Sequence, residues 1–342
     1  MSRFMKASLT GLNPYTPGEQ PRGKPLIKLN TNENPYPPSP KVGEALASAR
    51  EQRLYPDPTA GEAVRAVAGY HGLEESQVLL GNGSDEILAF AYMTYGKKVV
   101  FPETSYGFYP VFAGLFGSRA REIPLDPDLR VRPADYYDAG ATVIIANPNA
   151  PTGLALSRGE VENILERNKD NVVIIDEAYV DFGGESAVSL IEQYDNLLVV
   201  QTFSKSRSLA GMRIGVALGQ SQLIDDLDRV KYSFNPYNLS RDAILVAKAS
   251  IEDETYFKET VEKIKATRKM FSAEMEALGC RVLPSSANFV FVEKGKDYFQ
   301  ALRKRGILVR HFDKEPISGY VRITIGTEEE MKELLRVTEE II

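Results

Sequence analysis

The chain has 342 residues, 43% of them hydrophobic and 26% charged, a composition that excludes a disordered polymer and leaves room for two core-bearing units. With 47 acidic against 41 basic residues the formal net charge is −6, so no cationic surplus exists for a nucleic-acid backbone or an anionic membrane. A single cysteine, Cys280, excludes an intramolecular disulfide, and with only two histidines there are few soft metal ligands.

The first residues lack the apolar stretch of a secretory leader, and no run of about 18 apolar residues occurs, so the expectation is a cytoplasmic, metal-free chain without a membrane anchor. Residues 1–40 hold eight of the 20 prolines, as in Pro35-Tyr36-Pro37-Pro38, and read as an extended N-terminal arm. Phe4, Tyr15 and Tyr36 give that arm anchors for docking onto its own body or onto a second subunit. From about residue 60, helical stretches alternate with short β-branched runs: residues 78–80, 98–101, 142–146, 172–175 and 197–203. Apolar side chains on consecutive positions mark strands buried on both faces. Residues 41–240 are therefore read as a large α/β domain with a mostly parallel central sheet flanked by helices, its ligands at the carboxyl ends of the strands. Near residues 230–250 the strand repeat stops. A long amphipathic helix is predicted through Phe257, Val261, Ile264, Phe271, Met275 and Leu278, ended by Gly279. Short strands and helices follow to the C-terminus, making residues 241–342 a small α+β domain.

The polar residues at the strand ends carry the chemistry. After residues 172–175 come Asp176-Glu177-Ala178-Tyr179; after 197–203 come Ser204-Lys205, with Arg213 eight residues beyond the lysine. Residues 142–146 lead into Asn147-Pro148-Asn149-Ala150-Pro151-Thr152-Gly153, a turn-rich segment that fixes an amide. Residues 78–80 lead into Gly81-Asn82-Gly83-Ser84-Asp85, where glycines let the backbone approach a ligand and the next helix starts with free amides. A lysine at a partly buried strand end can lose its proton and condense with an aldehyde, while a helix N-terminus with serine and arginine can hold a phosphate. Aldehyde plus phosphate describes pyridoxal 5′-phosphate. Its ring nitrogen needs a carboxylate, which Asp176 supplies; its phenolate oxygen needs donors, which Tyr179 and Asn149 supply; Tyr106 is a candidate to stack on the ring.

These motifs, with Thr202-Phe203-Ser204-Lys205 followed by Ala210-Gly211-Met212-Arg213-Ile214-Gly215, stand in the order found in the fold-type I, pyridoxal-phosphate-dependent aminotransferases, which the sequence resembles over nearly its whole length. Within that class, Leu29-Asn30-Thr31-Asn32-Glu33-Asn34-Pro35 and Leu54-Tyr55-Pro56-Asp57 make it most similar to the histidinol-phosphate aminotransferase family. The resemblance implies that Lys205 bonds the cofactor aldehyde and moves the substrate proton, and that Ser84, Asp85, Ser204 and Arg213 hold the phosphate. It also implies a homodimer in which Tyr55 reaches the phosphate from the second subunit and the arm packs with the small domain and the partner. Arg322 and Arg310 match the family's anion-binding arginines, and Tyr15 and Asn32 match substrate-binding residues of the arm. The implied reaction exchanges L-histidinol phosphate and 2-oxoglutarate for imidazole-acetol phosphate and L-glutamate, in histidine biosynthesis. One departure is mild: Ser208-Leu209-Ala210-Gly211-Met212-Arg213 has serine first and methionine before the arginine, where the family often has glycine and leucine.

Taken singly, each residue has a plainer explanation: an aspartate after a strand often caps a helix, a lysine is commonly solvated, and an arginine pairs with a surface carboxylate. His71, at a predicted helix end, reads as a cap or dipole partner. Their joint order is what favours the cofactor reading. Competing readings are a threonine-phosphate decarboxylase or an aromatic amino acid aminotransferase on the same scaffold, and, from another class, a dinucleotide-binding module or an inactive interaction protein.

Overall fold

The structure is a computed structural model that describes residues 2–20 and 26–342; Pro21 and Pro25 of the arm lie outside the described residues. In chain order its strands are β1 (Ile27–Lys28), β2 (Val78–Asn82), β3 (Lys98–Pro102), β4 (Arg119–Ile123), β5 (Thr142–Ala146), β6 (Val173–Asp176), β7 (Leu197–Thr202), β8 (Ile214–Gly219), β9 (Phe289–Val292), β10 (Ile307–Leu308), β11 (Arg310–His311) and β12 (Val321–Thr324). The helices are α1 (Pro40–Ser48), α2 (Gly61–His71), α3 (Ser84–Tyr95), α4 (Phe108–Phe116), α5 (Arg158–Glu166), α6 (Ser221–Phe234), α7 (Arg241–Ile251), α8 (Glu254–Ala277), α9 (Lys296–Lys304) and α10 (Glu328–Glu339).

Seven strands form the central sheet in the order β2-β8-β7-β6-β5-β3-β4. All neighbours are parallel except β8, which runs antiparallel to both β2 and β7. The alternation of the strand side chains explains the consecutive apolar runs. Val143, Ile145, Val173, Ile175, Leu197 and Val199 enter one core; Ile144, Ile174, Leu198 and Val200, one residue out of phase, enter the core on the opposite face. Each of these side chains is buried, worth roughly 1.5–3 kcal/mol apiece. Two strands of this sheet have no counterpart among the runs read from sequence. β4, with exposed Arg119, Ala120, Arg121 and Glu122, is a polar edge strand without an apolar run. β8 begins inside the Met212-Arg213-Ile214 motif, where residue chemistry drew attention away from the strand.

The second sheet, β11-β12-β9, is antiparallel and packs with α8, whose Phe257, Val261, Ile264, Phe271 and Met275 are buried in a separate core. Gly279, φ +75°, follows the end of α8. Capping boxes Ser157/Glu160 and Thr327/Glu330 start α5 and α10. The arm is not wholly irregular: a short 3-10 turn covers Ala7–Leu9, and β1 pairs in parallel with β10. Thr324 N–H then donates to the Leu29 carbonyl at 3.0 Å, so the arm runs beside β12. No helix among the described residues is long and apolar enough to cross a membrane.

His71 does not act as a charged dipole partner. Burial and the nearby Arg207 guanidinium push its imidazole down to about 4, so it is neutral at pH 7, and the amides that end α2 come from Gly72, φ +67°.

Candidate active site

Parallel register brings the polar strand ends to one edge. Ala146 lies opposite Asp176 and Asp176 opposite Val200, so the segments beginning at Asn147, Glu177 and Phe203 leave the sheet side by side. A cavity of about 980 Å³ opens there, lined by Lys205, Tyr179, Tyr106, Tyr15, Asn32, Arg310 and Arg322 among others. It lies where a parallel sheet is expected to bind its ligand.

Lys205 is half-buried; its Nζ donates to the Thr31 carbonyl at 3.2 Å and stands 5.8 Å from the Tyr179 ring centre. The loop carrying it is anchored on three sides. Asn34 Nδ2 donates to the carbonyls of Lys205 and Ser206 at 3.1 Å each, and Ser206 Oγ donates to Asp181 at 2.5 Å. Buried Arg207 donates to the Ser250 carbonyl at 2.7 Å and lies over Phe257, Tyr70 and Phe203 at 4.1, 5.0 and 5.5 Å. Desolvation lowers the pKa of Arg207 and raises that of Asp181, each opposed by the other's charge.

Asp176 is the last residue of β6 and is buried. Desolvation pushes its carboxyl up to about 6, opposed by a hydrogen bond from the Tyr109 hydroxyl at 2.8 Å and one from the Ala178 amide at 3.3 Å. Its neighbour Glu177 points elsewhere, accepting from Ala187 N–H, Ser186 Oγ and Gln201 Nε2; burial pushes it up to about 7, and its bonds are those of a structural clasp. Tyr179 Oη accepts from Asn32 Nδ2 at 2.9 Å, which leaves the phenol proton free to be donated. Asn32 is buried, has φ +56°, and exchanges two further bonds with Thr324, so its amide is committed to Tyr179 and β12. Asn149 is equally engaged, with Nδ2 donating to Thr104 O and Thr152 Oγ1 and Oδ1 accepting from Ser105.

At the start of α3, Gly83 has φ +80°, and a Cβ there would stand 2.5 Å from the Arg213 guanidinium. Gly215 is equally constrained: a Cβ would fall 2.4 Å from Ser84 N. Glycine at both places lets the α3 N-terminus and Arg213 share a cradle of anion-sized, cationic character. The Asp85 carboxylate lies at its rim, accepting from Tyr106 Oη at 2.7 Å and Arg213 Nη2 at 3.1 Å, so it is the Asp85 backbone and not its side chain that suits a phosphate. Ser204 is buried, with Thr202 Oγ1 3.1 Å from its Oγ.

Arg310 and Arg322 face each other across the β11–β12 pair. Among the described residues neither has a carboxylate within ion-pair distance; Arg322 Nη2 donates to the Asn30 carbonyl at 3.0 Å, and its buried Nε has no partner. Desolvation lowers its pKa, and the Arg310 charge adds to that. Two like charges held together in this way call for an anion between them. Tyr15 stacks on Phe108 at 4.5 Å and lies 6.4 Å from Tyr106, placing the arm over the cavity. Tyr55 is 77% exposed, stacked on Tyr237 at 4.5 Å, and does not line its own chain's cavity.

Tyr109 and Asp181 were not among the residues singled out from sequence. Tyr109 lies inside α4 and Tyr106 two residues before it, so helical spacing does not put them on one face; neither Tyr109 nor Asp181 carried a local signal of its partner.

The donor set fits pyridoxal phosphate: an amine, a buried carboxylate, a phenol free to donate, and a glycine-built anion cradle. The sequence model of the family described as aminotransferase class I and II matches residues 24–337, which sets the class. Over its full length the chain is 50% identical to histidinol-phosphate aminotransferase 1 of Bradyrhizobium diazoefficiens, covering 100% of both, and it is 49% identical to the histidinol-phosphate aminotransferase of Clostridium beijerinckii, covering 98% and 96%. A solved structure of histidinol-phosphate aminotransferase from Sinorhizobium meliloti in complex with pyridoxal 5′-phosphate superposes with a TM-score of 0.84 at 26% identity, covering 92% of this chain and 90% of that one. The chain belongs to the histidinol-phosphate aminotransferase family within that class.

Proposed function

We propose that the chain catalyses amino-group transfer between L-histidinol phosphate and 2-oxoglutarate, giving imidazole-acetol phosphate and L-glutamate, in histidine biosynthesis. The observation that carries the reading is one cavity that joins a half-buried lysine, close enough to a buried aspartate to favour its ionised form, with two arginines that lack a carboxylate partner among the described residues. Pyridoxal 5′-phosphate is the cofactor, as the family match and the related structure solved in complex with it indicate. When bound, it supplies an aldehyde that takes up an amino group and a ring that accepts the electron pair released at the substrate α-carbon.

The residues divide the remaining work. The Lys205 amine would hold the cofactor through its aldehyde carbon and, once the substrate amine has displaced it, would be free to take the proton from the substrate α-carbon and deliver it to that former aldehyde carbon. The Asp176 carboxylate holds a proton at the ring nitrogen. Tyr179, with Asn149 behind it, binds the phenolate oxygen, and Tyr106 offers its ring for stacking. The α3 amides at Ser84-Asp85, with Ser204 and Arg213, bind the cofactor phosphate, and Tyr55 of a second subunit completes that site in a cytoplasmic homodimer. Arg310 and Arg322 bind the anionic end of either substrate, a phosphate ester or a carboxylate, since a guanidinium fork suits both. Tyr15 and Asn32 close the arm side of the cavity, Asn32 by holding Tyr179.

The readings as a threonine-phosphate decarboxylase or an aromatic amino acid aminotransferase are not favoured, because the relatives at about 50% identity are histidinol-phosphate aminotransferases. The test is purified protein with cofactor, histidinol phosphate and 2-oxoglutarate, assayed beside phosphothreonine and phenylalanine. Glutamate formation from histidinol phosphate with the highest kcat/KM is expected. Carbon dioxide release from phosphothreonine, or a preference for phenylalanine, would overturn the assignment.

A further inference from the structure

Asp176 ends β6 at the edge where the cavity opens, with Tyr109 against its carboxylate. Tyr109 is fully buried in α4, and its hydroxyl donates to Asp176 Oδ2 at 2.8 Å. The other carboxylate oxygen receives only the longer Ala178 amide bond, at 3.3 Å. Tyr109 also meets Tyr106 edge to face, ring centres 5.6 Å apart at 85°, so the segment entering α4 presents the Tyr106 ring to the cavity while the first turn of α4 gives the Tyr109 hydroxyl to the carboxylate. A buried tyrosine needs some acceptor, and a backbone carbonyl is the common choice; here the acceptor is the buried carboxylate that ends β6.

We propose that Tyr109 is a positioning residue for cofactor chemistry: its hydroxyl fixes the Asp176 carboxylate in its ionised form and sets how firmly that carboxylate draws the proton of the cofactor's ring nitrogen. This rests on the pyridoxal-phosphate reading above.

The physical argument starts from desolvation. A carboxylate with no water must be stabilised by fixed donors or it takes up a proton. Tyr109 supplies the shorter of its two bonds. Burial and the facing Asp176 charge raise the phenol's own pKa well above the ordinary value, so it stays a donor throughout the working range. The groups facing Asp176 are Asp85, which opposes its ionisation, and Lys205, which favours it; neither hydrogen-bonds to it. A carboxylate relieved of part of its charge density by a phenol is a weaker base. It therefore leaves the shared proton on the ring nitrogen, where it strengthens the electron sink. Without the phenol the carboxylate becomes more basic, pulls that proton toward itself and weakens the sink.

The test compares wild type, Tyr109→Phe, Asp176→Asn and the double variant, each with added pyridoxal phosphate. Two quantities are read: the pH at which the visible absorbance of the lysine-linked cofactor titrates, and the dissociation constant of the cofactor between pH 5 and 8. Tyr109→Phe keeps the ring and its volume; circular dichroism of the cofactor-free protein checks its fold. The expected result is an upward move of the absorbance titration by about one unit, and a cofactor affinity that begins to weaken at higher pH on acidification than in wild type. Both effects should vanish when Asp176 is already asparagine, because the hydroxyl then has no carboxylate to act on. A Tyr109→Phe protein that titrates like wild type, or one whose shift persists in the Asp176→Asn background, overturns the proposal while leaving the cofactor assignment intact. A wild type that develops no visible band with pyridoxal phosphate would instead remove the reading on which it rests.

Discussion

The floor of the cavity and its arm side are built on opposite electrostatic plans. At the floor, Asp176, Asn149, Tyr179 and the Lys205 loop are held by hydrogen bonds before any ligand arrives. Opposite, Arg310 and Arg322 lie cross-strand with like charges facing and a buried Nε unpaired. The floor must orient one resident molecule without reorganising, and a preorganised network does that at little cost when the reaction occurs. In the proposed reaction the arginine side accepts two anions of different shape in turn. Leaving its charge uncompensated between visits keeps it able to take either, at some expense in stability.

That contrast is open to attack from both sides. The largest effect is expected at the floor: Lys205→Ala should fold normally, by far-ultraviolet circular dichroism, and lose at least about 10³-fold in turnover, since the other lysine lining the cavity, Lys314, is engaged with Glu103. Arg322→Ala should raise KM for histidinol phosphate or 2-oxoglutarate by roughly 10–100-fold, the worth of charge-assisted hydrogen bonds, while cofactor affinity stays unchanged. An unaltered KM, or loss of cofactor, would erase the distinction between the two sides.

A third variant sharpens the comparison through stability. Cofactor-free Asp176 has its carboxyl raised from 3.8 to about 6, so the folded chain holds a proton that the unfolded chain has already released. Its contribution to stability is therefore lost as pH rises from about 4 to about 6, then levels off. Asp176→Asn should remove that loss, making the cofactor-free protein more stable than wild type by about 2–3 kcal/mol at pH 7.5, and no more stable at pH 4, in denaturant titrations. The parallel slope from Glu177, raised to about 7, remains in both proteins and cancels. The same variant should bind cofactor more weakly.

The smallest signal is at the proposed boundary with a second subunit. Hybrids of a Tyr55→Phe subunit with a Lys205→Ala subunit contain one site with both native residues, and activity should return toward that of one site per dimer. Hybrids no more active than their parents would put Tyr55 outside the partner's site.

The floor was legible in the sequence because the fold translates order into position. Buried β5, β6 and β7 announce themselves by consecutive β-branched residues, and parallel register then forces Asn149, Asp176 and Lys205 to one edge. Of the central sheet, β4 escaped because it is a polar edge strand, and β8, though apolar and buried throughout, because it begins directly after Arg213, where residue chemistry masked it. The arm side was less legible. That Arg310 faces Arg322 depends on a two-residue strand and its register, and that Asn32 holds Tyr179 depends on a contact 147 residues apart in the chain. Tyr109 belongs with the arm side: it sits in a largely apolar helix, and its bond to Asp176 joins residues 67 apart in the chain.

The central claim is that the amine at position 205 carries the cofactor. Protein incubated with pyridoxal phosphate, reduced with borohydride, digested and sequenced by mass spectrometry should yield a single phosphopyridoxyl-modified peptide with the adduct on Lys205. An adduct on another lysine with Lys205 unmodified, or no stoichiometric adduct at all, would contradict the account.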